Sequence, residues 1–309
     1  MPIRIAIVGF GKIARDQHVP AIAADPALEL VAVSSPRLGP DSPARGFRDH
    51  RELFETMAGE VDAVALATPP GVRHAIAAEA LAAGLHVLLE KPPAATLGEI
   101  EDLERRAREA GLTLFAAWHS QHAAGVEAAA RALAGQTVRR LKVEWFEDVR
   151  KWHPGQAWIW APGGFGVFDP GINALSILTR ILPVPLFVRE ALLSYPENRQ
   201  APIAARLDLA GEAGALRAKM DWRHSEGERW SIRVETEAGT IVELDSGGAE
   251  LRLDGRLQPV SPLGEYPSLY RRFAELIGSG RSEVDREPLR IVADALLVGA
   301  RETVEPFLD

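Results

Sequence analysis

Short runs of apolar and β-branched residues alternate with helix-like segments through the first 120 residues of the chain. Such runs, when ended by glycine, proline or polar residues, predict fully buried strands. The predicted strands are residues 3–8, 28–33, 63–67, 86–89 and 112–117, and the predicted helices between them are about 13–24, 75–83 and 96–110. Strands that alternate with helices at this spacing indicate βαβ units around a parallel sheet, whose carboxyl strand ends form ligand sites.

The pattern changes beyond about residue 122. Strand-like runs now follow each other without regular helices between them, which favours a mostly antiparallel sheet. These runs are residues 138–145, 188–194, 204–209, 216–221, 230–235 and 240–244, and the predicted helices are about 170–181, 266–277 and 288–304. The sequence therefore predicts an α/β protein with a doubly wound parallel domain over 1–122. An α+β domain with a mostly antiparallel open sheet is predicted over 123–309.

Composition agrees with two globular domains and excludes several classes of protein. The chain has 309 residues, 47% of them hydrophobic and 25% charged, which is ordinary globular usage. A net charge of -8 without a basic stripe argues against a nucleic-acid partner. The lack of an uninterrupted apolar run of ~18 residues argues against a membrane span. Because the N-terminus enters a strand without a signal-peptide pattern, we expect a cytoplasmic protein. With no cysteine, disulfides and thiolate sites are excluded.

A glycine motif lies between the first predicted strand and the first predicted helix. Gly9, Gly11 and Ala14 give the spacing GxGxxA, which lets the backbone turn tightly and approach a pyrophosphate at a helix N-terminus. The bare motif fits a plain glycine-rich turn equally well. Its place after an N-terminal strand and before a second buried strand favours a dinucleotide-binding Rossmann domain.

The second predicted strand ends without the carboxylate that selects NAD. Ser35 and Arg37 follow it instead, and a hydroxyl and a guanidinium suit the 2′-phosphate of NADP. We therefore expect NADP, NAD or both as cofactor. The alternative is that Arg37 is a solvated loop residue.

Several motifs resemble the glucose-fructose oxidoreductase and inositol dehydrogenase family (Gfo/Idh/MocA). The most specific is the triplet Glu90-Lys91-Pro92 at a strand end downstream of the glycine motif. The others are Thr68-Pro69-Pro70 with His74, and Asp169-Pro170-Gly171-Ile172-Asn173. Further segments, around residues 118–120, 147–156, 158–160 and 166–176, are similar to a bacterial branch of the family that oxidises L-arabinose or D-galactose at C1.

The resemblance implies a Rossmann domain followed by an open sheet whose solvent face forms a homodimer interface. It implies that Lys91 lies beside the nicotinamide and that the Lys91–Pro92 bond is cis, which costs little at proline. The cofactor contacts that we expect from the motifs and the resemblance are Gly9, Gly11, Lys12, Ile13, Ser35, Arg37, Thr68, Pro69, His74, Glu90 and Lys91.

Oxidising an aldose at C1 to a lactone requires a hydride acceptor, which the cofactor supplies, and a base. Asp169 and Asn173 lie four residues apart at the start of a predicted helix and therefore face the same way. Many family members carry His at position 173, and an amide cannot exchange protons near neutral pH. We expect Asp169 to be the base, Lys91 to hold the sugar and lower the pKa of the acid, and Asn173 to position a hydroxyl. Lys91 as the proton acceptor and Asp169 as a mere N-cap are the alternatives.

Carboxylates, amides and aromatic faces are the groups that bind sugars, and the expected substrate contacts are His119, Glu147, Trp152, Asp169, Asn173 and Trp230. The alternative for each tryptophan is core packing. His122 and His153 are expected to be structural or solvent-facing, and no ligand spacing predicts a metal site. Two other functions stay open: another sugar or inositol dehydrogenase, and a non-catalytic NAD(P)-binding regulator.

Overall fold

The computed structural model describes residues 1–40, 42–182, 184–211 and 214–308, which divide into two compact units. The first unit contains residues 1–119 and 265–286. The second contains residues 120–264 and the segment from residue 287 onward. The boundary predicted near residue 122 assigned the segment 265–286 to the second domain, whereas its contacts place it in the first unit.

The first unit is built on a six-stranded parallel sheet. Its strands are β1 (Ile3–Val8), β2 (Leu28–Ser34), β3 (Arg45–Phe47), β4 (Ala63–Leu66), β5 (His86–Glu90) and β6 (Leu114–Ala117). Their spatial order is β3-β2-β1-β4-β5-β6, and every neighbouring pair is parallel. This is the order of doubly wound dinucleotide-binding sheets, with the switch point between β1 and β4. The predicted fold of this half is confirmed.

Helices cover both faces of this sheet. They are α1 (Val19–Ala23), α2 (His50–Thr56), α3 (Pro70–Ala82), α4 (Leu97–Ala110) and, from the later segment, α8 (Glu265–Ser279). Apolar residues of α2, α3 and α4 form one hydrophobic core with the sheet, and those of α1 and α8 form another on the opposite face. The predicted capping box of α4 is present, with Thr96 and Glu99 bonding each other's backbone N–H.

The second unit contains a nine-stranded sheet. Its strands are β7 (Val138–Phe146), β8 (Phe187–Pro196), β9 (Ala204–Ala210), β10 (Ala215–Asp221), β11 (Arg229–Thr236), β12 (Ile241–Asp245), β13 (Glu250–Leu253), β14 (Arg256–Leu257) and β15 (Ala300–Val304). They lie in the order β14-β13-β12-β11-β7-β10-β9-β8-β15. In the described part of the chain the neighbours are antiparallel except for β7–β10 and β8–β15. The mostly antiparallel sheet is therefore confirmed.

The helices of the second unit are α5 (Val126–Leu133), α6 (Val149–Trp152), α7 (Phe168–Ile181) and α9 (Glu287–Val298). Helix α7 packs against β7, and α9 packs against both α7 and β8. The helix predicted over 288–304 is wrong in its last part, because α9 ends at Val298 and the chain continues as β15. Among the described helices, none combines the length and apolar character needed to cross a membrane.

Candidate active site

The glycine turn after β1 has the geometry of a pyrophosphate cradle. Gly9 has a φ of +96°, and a Cβ there would lie 2.6 Å from the carbonyl carbon and oxygen of Ala67. A side chain at Gly9 is therefore excluded both by backbone conformation and by contact. A Cβ on Gly11, by contrast, would meet no atom within 4 Å. The turn packs against the end of β4 at Gly9. At Gly11 it leaves open the space that a dinucleotide needs.

Two further observations fit a dinucleotide at these strand ends. The hydroxyl oxygen of Thr68, just after β4, is buried and has no hydrogen-bond partner among the described residues. Arg37, beyond the end of β2, is exposed and makes no ion pair with any residue that the structure describes. An unpaired buried hydroxyl and an unpaired guanidinium are both groups that a ligand would satisfy.

Lys12, Ile13 and His74 are three further residues that were predicted to contact the cofactor. Lys12 is exposed and pairs with Asp16 one turn along the chain, and Ile13 is also exposed. The ring of His74 lies toward α4, with its Nε2 atom 2.9 Å from Oδ2 of Asp102. That contact gives no support to a cofactor role for His74, which stays a prediction.

Arg73, next to His74, organises the strand ends and was not predicted. Its guanidinium is buried and donates to the backbone oxygens of Thr68, Glu90 and Pro92. One side chain thereby ties the end of β4 to the end of β5. The Lys91–Pro92 peptide bond lies in this segment and is cis, as predicted.

Glu90 is held by groups that come from distant parts of the sequence. Its Oε1 atom lies 3.1 Å from Nε2 of His18 and accepts a 2.6 Å hydrogen bond from the Tyr266 hydroxyl. Its Oε2 atom accepts the backbone N–H of Lys91 at 2.8 Å, and the other ring nitrogen of His18 lies 2.6 Å from the hydroxyl of Tyr270. Burial alone would raise the pKa of Glu90, but the hydrogen bond and charge of His18 and its other partners lower it to about 2.

The buried position of His18 follows from the local backbone. The residues Ala14–His18 form a π-helical turn immediately before α1. A π-helical turn changes the direction of side chains relative to an α-helix and is frequent at functional sites. Here His18 is buried against both Glu90 and Tyr270.

His119 follows β6 and is part of the same unit as Lys91. Its Nδ1 atom lies 2.7 Å from Oε2 of Glu265, and its ring stacks on Tyr266 with centroids 5.5 Å apart. Burial lowers the pKa of His119, but the charge and hydrogen bond of Glu265 outweigh this, so the pKa lies above its ordinary value. Glu265 therefore favours the protonated form of the ring.

In the second unit, Asp169 lies in the first turn of α7. The helix begins at Phe168 and its N-cap position is Val167, so Asp169 is not the N-cap. Its carboxyl is buried, and Oδ2 lies 3.3 Å from Nε2 of His153. Asn173 is half-buried one turn further along α7. A buried carboxyl beside an imidazole is a suitable arrangement for accepting a proton.

The other predicted sugar-binding residues of this unit form a connected cluster. Glu147 is buried, and its two carboxylate oxygens accept the indole N–H groups of Trp222 at 3.0 Å and Trp230 at 2.9 Å. The ring of Trp152 lies on Trp230 with centroids 5.7 Å apart and is 41% exposed. The cluster thus joins a fixed carboxylate to an exposed aromatic face, which are the two features that sugar recognition requires.

His153 and Trp222 belong to this cluster but were not predicted to take part. The ring of His153 packs on Trp222 with centroids 5.3 Å apart and connects the cluster to Asp169. His153 was expected to be structural or solvent-facing, although it lies in the segment 147–156 that carries the family resemblance. Within the described residues, no group of three histidines and carboxylates is arranged to hold a metal ion.

Comparisons with known proteins place these two units in a family. The model of an oxidoreductase family with an NAD-binding Rossmann fold matches residues 3–118. The galactose 1-dehydrogenase of Pseudomonas fluorescens is 48% identical over 312 residues, which cover 100% of this chain and 99% of that protein.

Solved structures agree with this result. The crystal structure of a D-galactose-1-dehydrogenase protein from Rhizobium etli has a TM-score of 0.93 and 50% sequence identity, covering 99% of this chain and 98% of that one. A 3-ketoreductase from Actinomadura kijaniata has a TM-score of 0.85 at 20% identity, covering 98% and 100%, and shares the fold. Since the family model matches residues 3–118 and the 48% identity extends over the whole sequence, the chain belongs to the Gfo/Idh/MocA family of oxidoreductases.

Proposed function

We propose that this protein is an aldose 1-dehydrogenase that oxidises the anomeric carbon of D-galactose, L-arabinose or both to the lactone. The observation that carries the proposal is the similarity to a galactose 1-dehydrogenase, 48% identical over the full length of both chains. The chemistry of the second unit supports it. Glu147 is fixed by two indole groups, Trp152 offers an exposed ring, and Asp169 is a buried carboxyl beside an imidazole.

The two sugars have the same configuration from C2 to C4 of the pyranose ring. They differ by the exocyclic hydroxymethyl group, so a binding site that recognises the shared hydroxyls accepts both if it is open at that point. We propose that Glu147 and Asn173 bind these hydroxyls while Trp152 and Trp230 pack on the C–H face of the ring. His119 is proposed as a further contact to the sugar.

In the proposed reaction Asp169 accepts the proton of the C1 hydroxyl, and Lys91 holds that hydroxyl in place. Bound NAD(P)⁺ supplies the hydride acceptor. Gly9, Gly11 and Thr68 would hold it through the packed glycine turn and the unpaired buried hydroxyl. We propose that NADP is accepted, because Ser35 and the exposed Arg37 stand where a carboxylate would repel its 2′-phosphate.

A homodimer through the open face of the nine-stranded sheet is proposed as well. Residues on β7 and β10 largely alternate between buried and exposed. Lys142 and Arg217 are among the exposed ones, so none of the described helices covers that face at these positions. Light scattering on the purified protein measures the molar mass. A monomer at micromolar concentration would rule out this assembly.

A panel of aldoses tests the function directly. The purified protein is incubated with each sugar and with NAD⁺ or NADP⁺, and reduced cofactor is followed by its absorbance. We expect turnover with D-galactose and L-arabinose, and much less with D-glucose, whose C4 hydroxyl is inverted. Asp169→Ala is expected to abolish turnover while cofactor binding is retained. Cofactor binding without turnover of any aldose would favour the regulator instead.

A further inference from the structure

The ring of His153 lies between the carboxyl of Asp169 and a cavity that opens to solvent. We propose that His153 takes the proton from Asp169 and passes it to water in this cavity, so that it acts as a positioning and relay residue for the base. This inference rests on the proposed function, since it concerns the fate of the proton that the oxidised hydroxyl releases. Helix α7 carries Asn173 one turn after Asp169, and an amide cannot exchange protons near neutral pH.

The two ring nitrogens of His153 face different partners. Nε2 lies 3.3 Å from Oδ2 of Asp169, and Nδ1 lies 3.4 Å from Oε1 of Gln156. An amide oxygen accepts hydrogen bonds but cannot donate one. With an N–H at Nδ1 directed at Gln156, Nε2 presents its lone pair to Asp169 and is able to accept a proton from that carboxyl.

The cavity provides the water that must receive the proton. It has a volume of about 460 Å³, and His153, Gln156, Asn198 and Gln200 are among its lining residues. The last three of these are exposed. A cavity of this size holds several water molecules next to these polar side chains, because one water occupies roughly 30 Å³ in the liquid. His153 is therefore in contact with the buried carboxyl on one side and with solvent on the other.

The charged groups around the ring agree with a transient imidazolium. Asp169 is adjacent to Nε2, and Glu147 lies beyond Trp222, on which the ring packs. On the cavity side the charged lining residue is Arg199, whose guanidinium lies over the ring of Trp160, 5.5 Å from its centroid. The carboxyl of Asp169 thus adjoins the ring on the protein side, and Arg199 is the arginine among the residues that line the cavity.

In each turnover, His153 gains one proton and releases one. The C1–H bond breaks with its electron pair transferred to the cofactor, and the hydroxyl proton passes to Asp169. Asp169 then protonates Nε2 of His153 and becomes a carboxylate again. The imidazolium releases its Nδ1 proton to water in the cavity, which leaves the remaining proton on Nε2. Exchange of that proton with the cavity water restores the Nδ1–H form before the next turnover, and no other reactant is consumed.

The test is the kinetics of His153→Ala with NADP⁺ and D-galactose, compared with the wild-type holoenzyme. If His153 removes the proton, the variant should complete its first turnover and then slow down. We expect a burst of about one reduced cofactor per active site, followed by a steady rate reduced at least about tenfold. Added imidazole, which fits the space left by the side chain, should restore the steady rate.

His50→Ala serves as the control, because it removes an imidazole from the first unit that pairs with Glu79. It should show neither the burst nor a response to imidazole. The relay is ruled out if His153→Ala turns over within twofold of wild type between pH 6 and 9. It is also ruled out if its first and later turnovers slow equally and imidazole has no effect.

A second measurement separates the relay from the proposed function. The ring-nitrogen NMR signals of His153 are recorded, without sugar, in the wild type and in Asp169→Asn. We expect these signals to differ between the two proteins, because Nε2 of His153 lies 3.3 Å from Oδ2 of Asp169. Unchanged signals contradict the relay even in an active enzyme, whereas failure of the wild type to oxidise any aldose contradicts the proposed function alone.

Discussion

The hydroxyl of Tyr266 and Oε1 of Glu90 lie 2.6 Å apart, although the two residues are 176 positions apart in the sequence. This bond joins α8 to the end of β5, immediately before Lys91, which is a predicted catalytic residue. The same carboxylate holds the Lys91 N–H with its second oxygen. Position and protonation of Glu90 are therefore linked to the geometry of Lys91.

Glu90→Gln should change how stability depends on pH. The pKa of Glu90 is lowered from 4.5 to about 2 in the folded protein. The Glu90 carboxylate therefore contributes about 3 kcal/mol to the free energy of unfolding. This contribution is complete above pH 4.5 and is lost as the pH falls toward 2. Denaturant unfolding at several pH values measures this free energy, which should decrease less steeply with falling pH in Glu90→Gln than in the wild type. Identical slopes below pH 4.5 would contradict this.

Glu265→Gln should lower the pKa of His119, because the charge that outweighs burial is removed. A raised histidine pKa contributes stability that is present below about pH 6.5 and is lost as the pH rises through the folded value. The variant should therefore be less stable than the wild type at pH 6, with a smaller difference at pH 9. NMR titration of His119 measures the shift, and an unchanged value would show that Glu265 has no such effect.

The two glycines of the first turn should respond differently to alanine. Gly9→Ala places a Cβ against Ala67 at a φ of +96° and should destabilise the fold by about 1–3 kcal/mol. Gly11→Ala meets no atom within 4 Å and should leave thermal stability nearly unchanged while weakening cofactor binding. Calorimetry and cofactor titration separate the two effects. Normal NADP affinity in Gly11→Ala would place the cofactor elsewhere.

Arg37→Glu should shift cofactor preference toward NAD. The exposed guanidinium is replaced by a carboxylate, which repels a 2′-phosphate and accepts hydrogen bonds from a ribose hydroxyl. We expect the ratio of kcat/KM for NADP⁺ to that for NAD⁺ to fall at least about tenfold. A constant ratio would show that Arg37 is a solvated loop residue.

Trp230→Phe keeps an aromatic ring but removes the N–H that holds Glu147. The carboxylate then retains the indole of Trp222 and loses part of its orientation. We expect KM for the sugar to rise several-fold, while KM for the cofactor stays the same. An unchanged sugar KM would separate Glu147 from substrate binding.

The fold was predictable where local signals were strong. Buried apolar runs located β1, β2, β4 and β5, and the Thr96-Glu99 capping box marked the start of α4. The last predicted helix was wrong because Ala300–Val304 gains its hydrogen bonds by pairing with β8, a contact that sequence periodicity does not encode. The β13–β14 hairpin was missed, although Asp254-Gly255 between the strands is a strong turn signal.

Sequence motifs predicted some residues of the candidate site. The residues that tertiary packing brings to it were missed. The Glu90-Lys91-Pro92 triplet and Asp169 were identified from sequence. His18, Tyr266 and Tyr270 become partners of Glu90 only because a π-helical turn and α8 meet at one strand end. His153 carried a weak signal, since it lies beside Trp152 in a segment that resembles the family.

Helix α8 also affects the order in which the chain can fold during synthesis. It supplies Leu269, Tyr270 and Phe273 to a hydrophobic core whose other members come from the first 120 residues. A fragment ending near residue 120 would expose that apolar face of the sheet to water. On the ribosome, this core of the N-terminal sheet can therefore be completed only after α8 has emerged. A separately expressed cofactor domain needs the segment 265–286 joined to it by a linker.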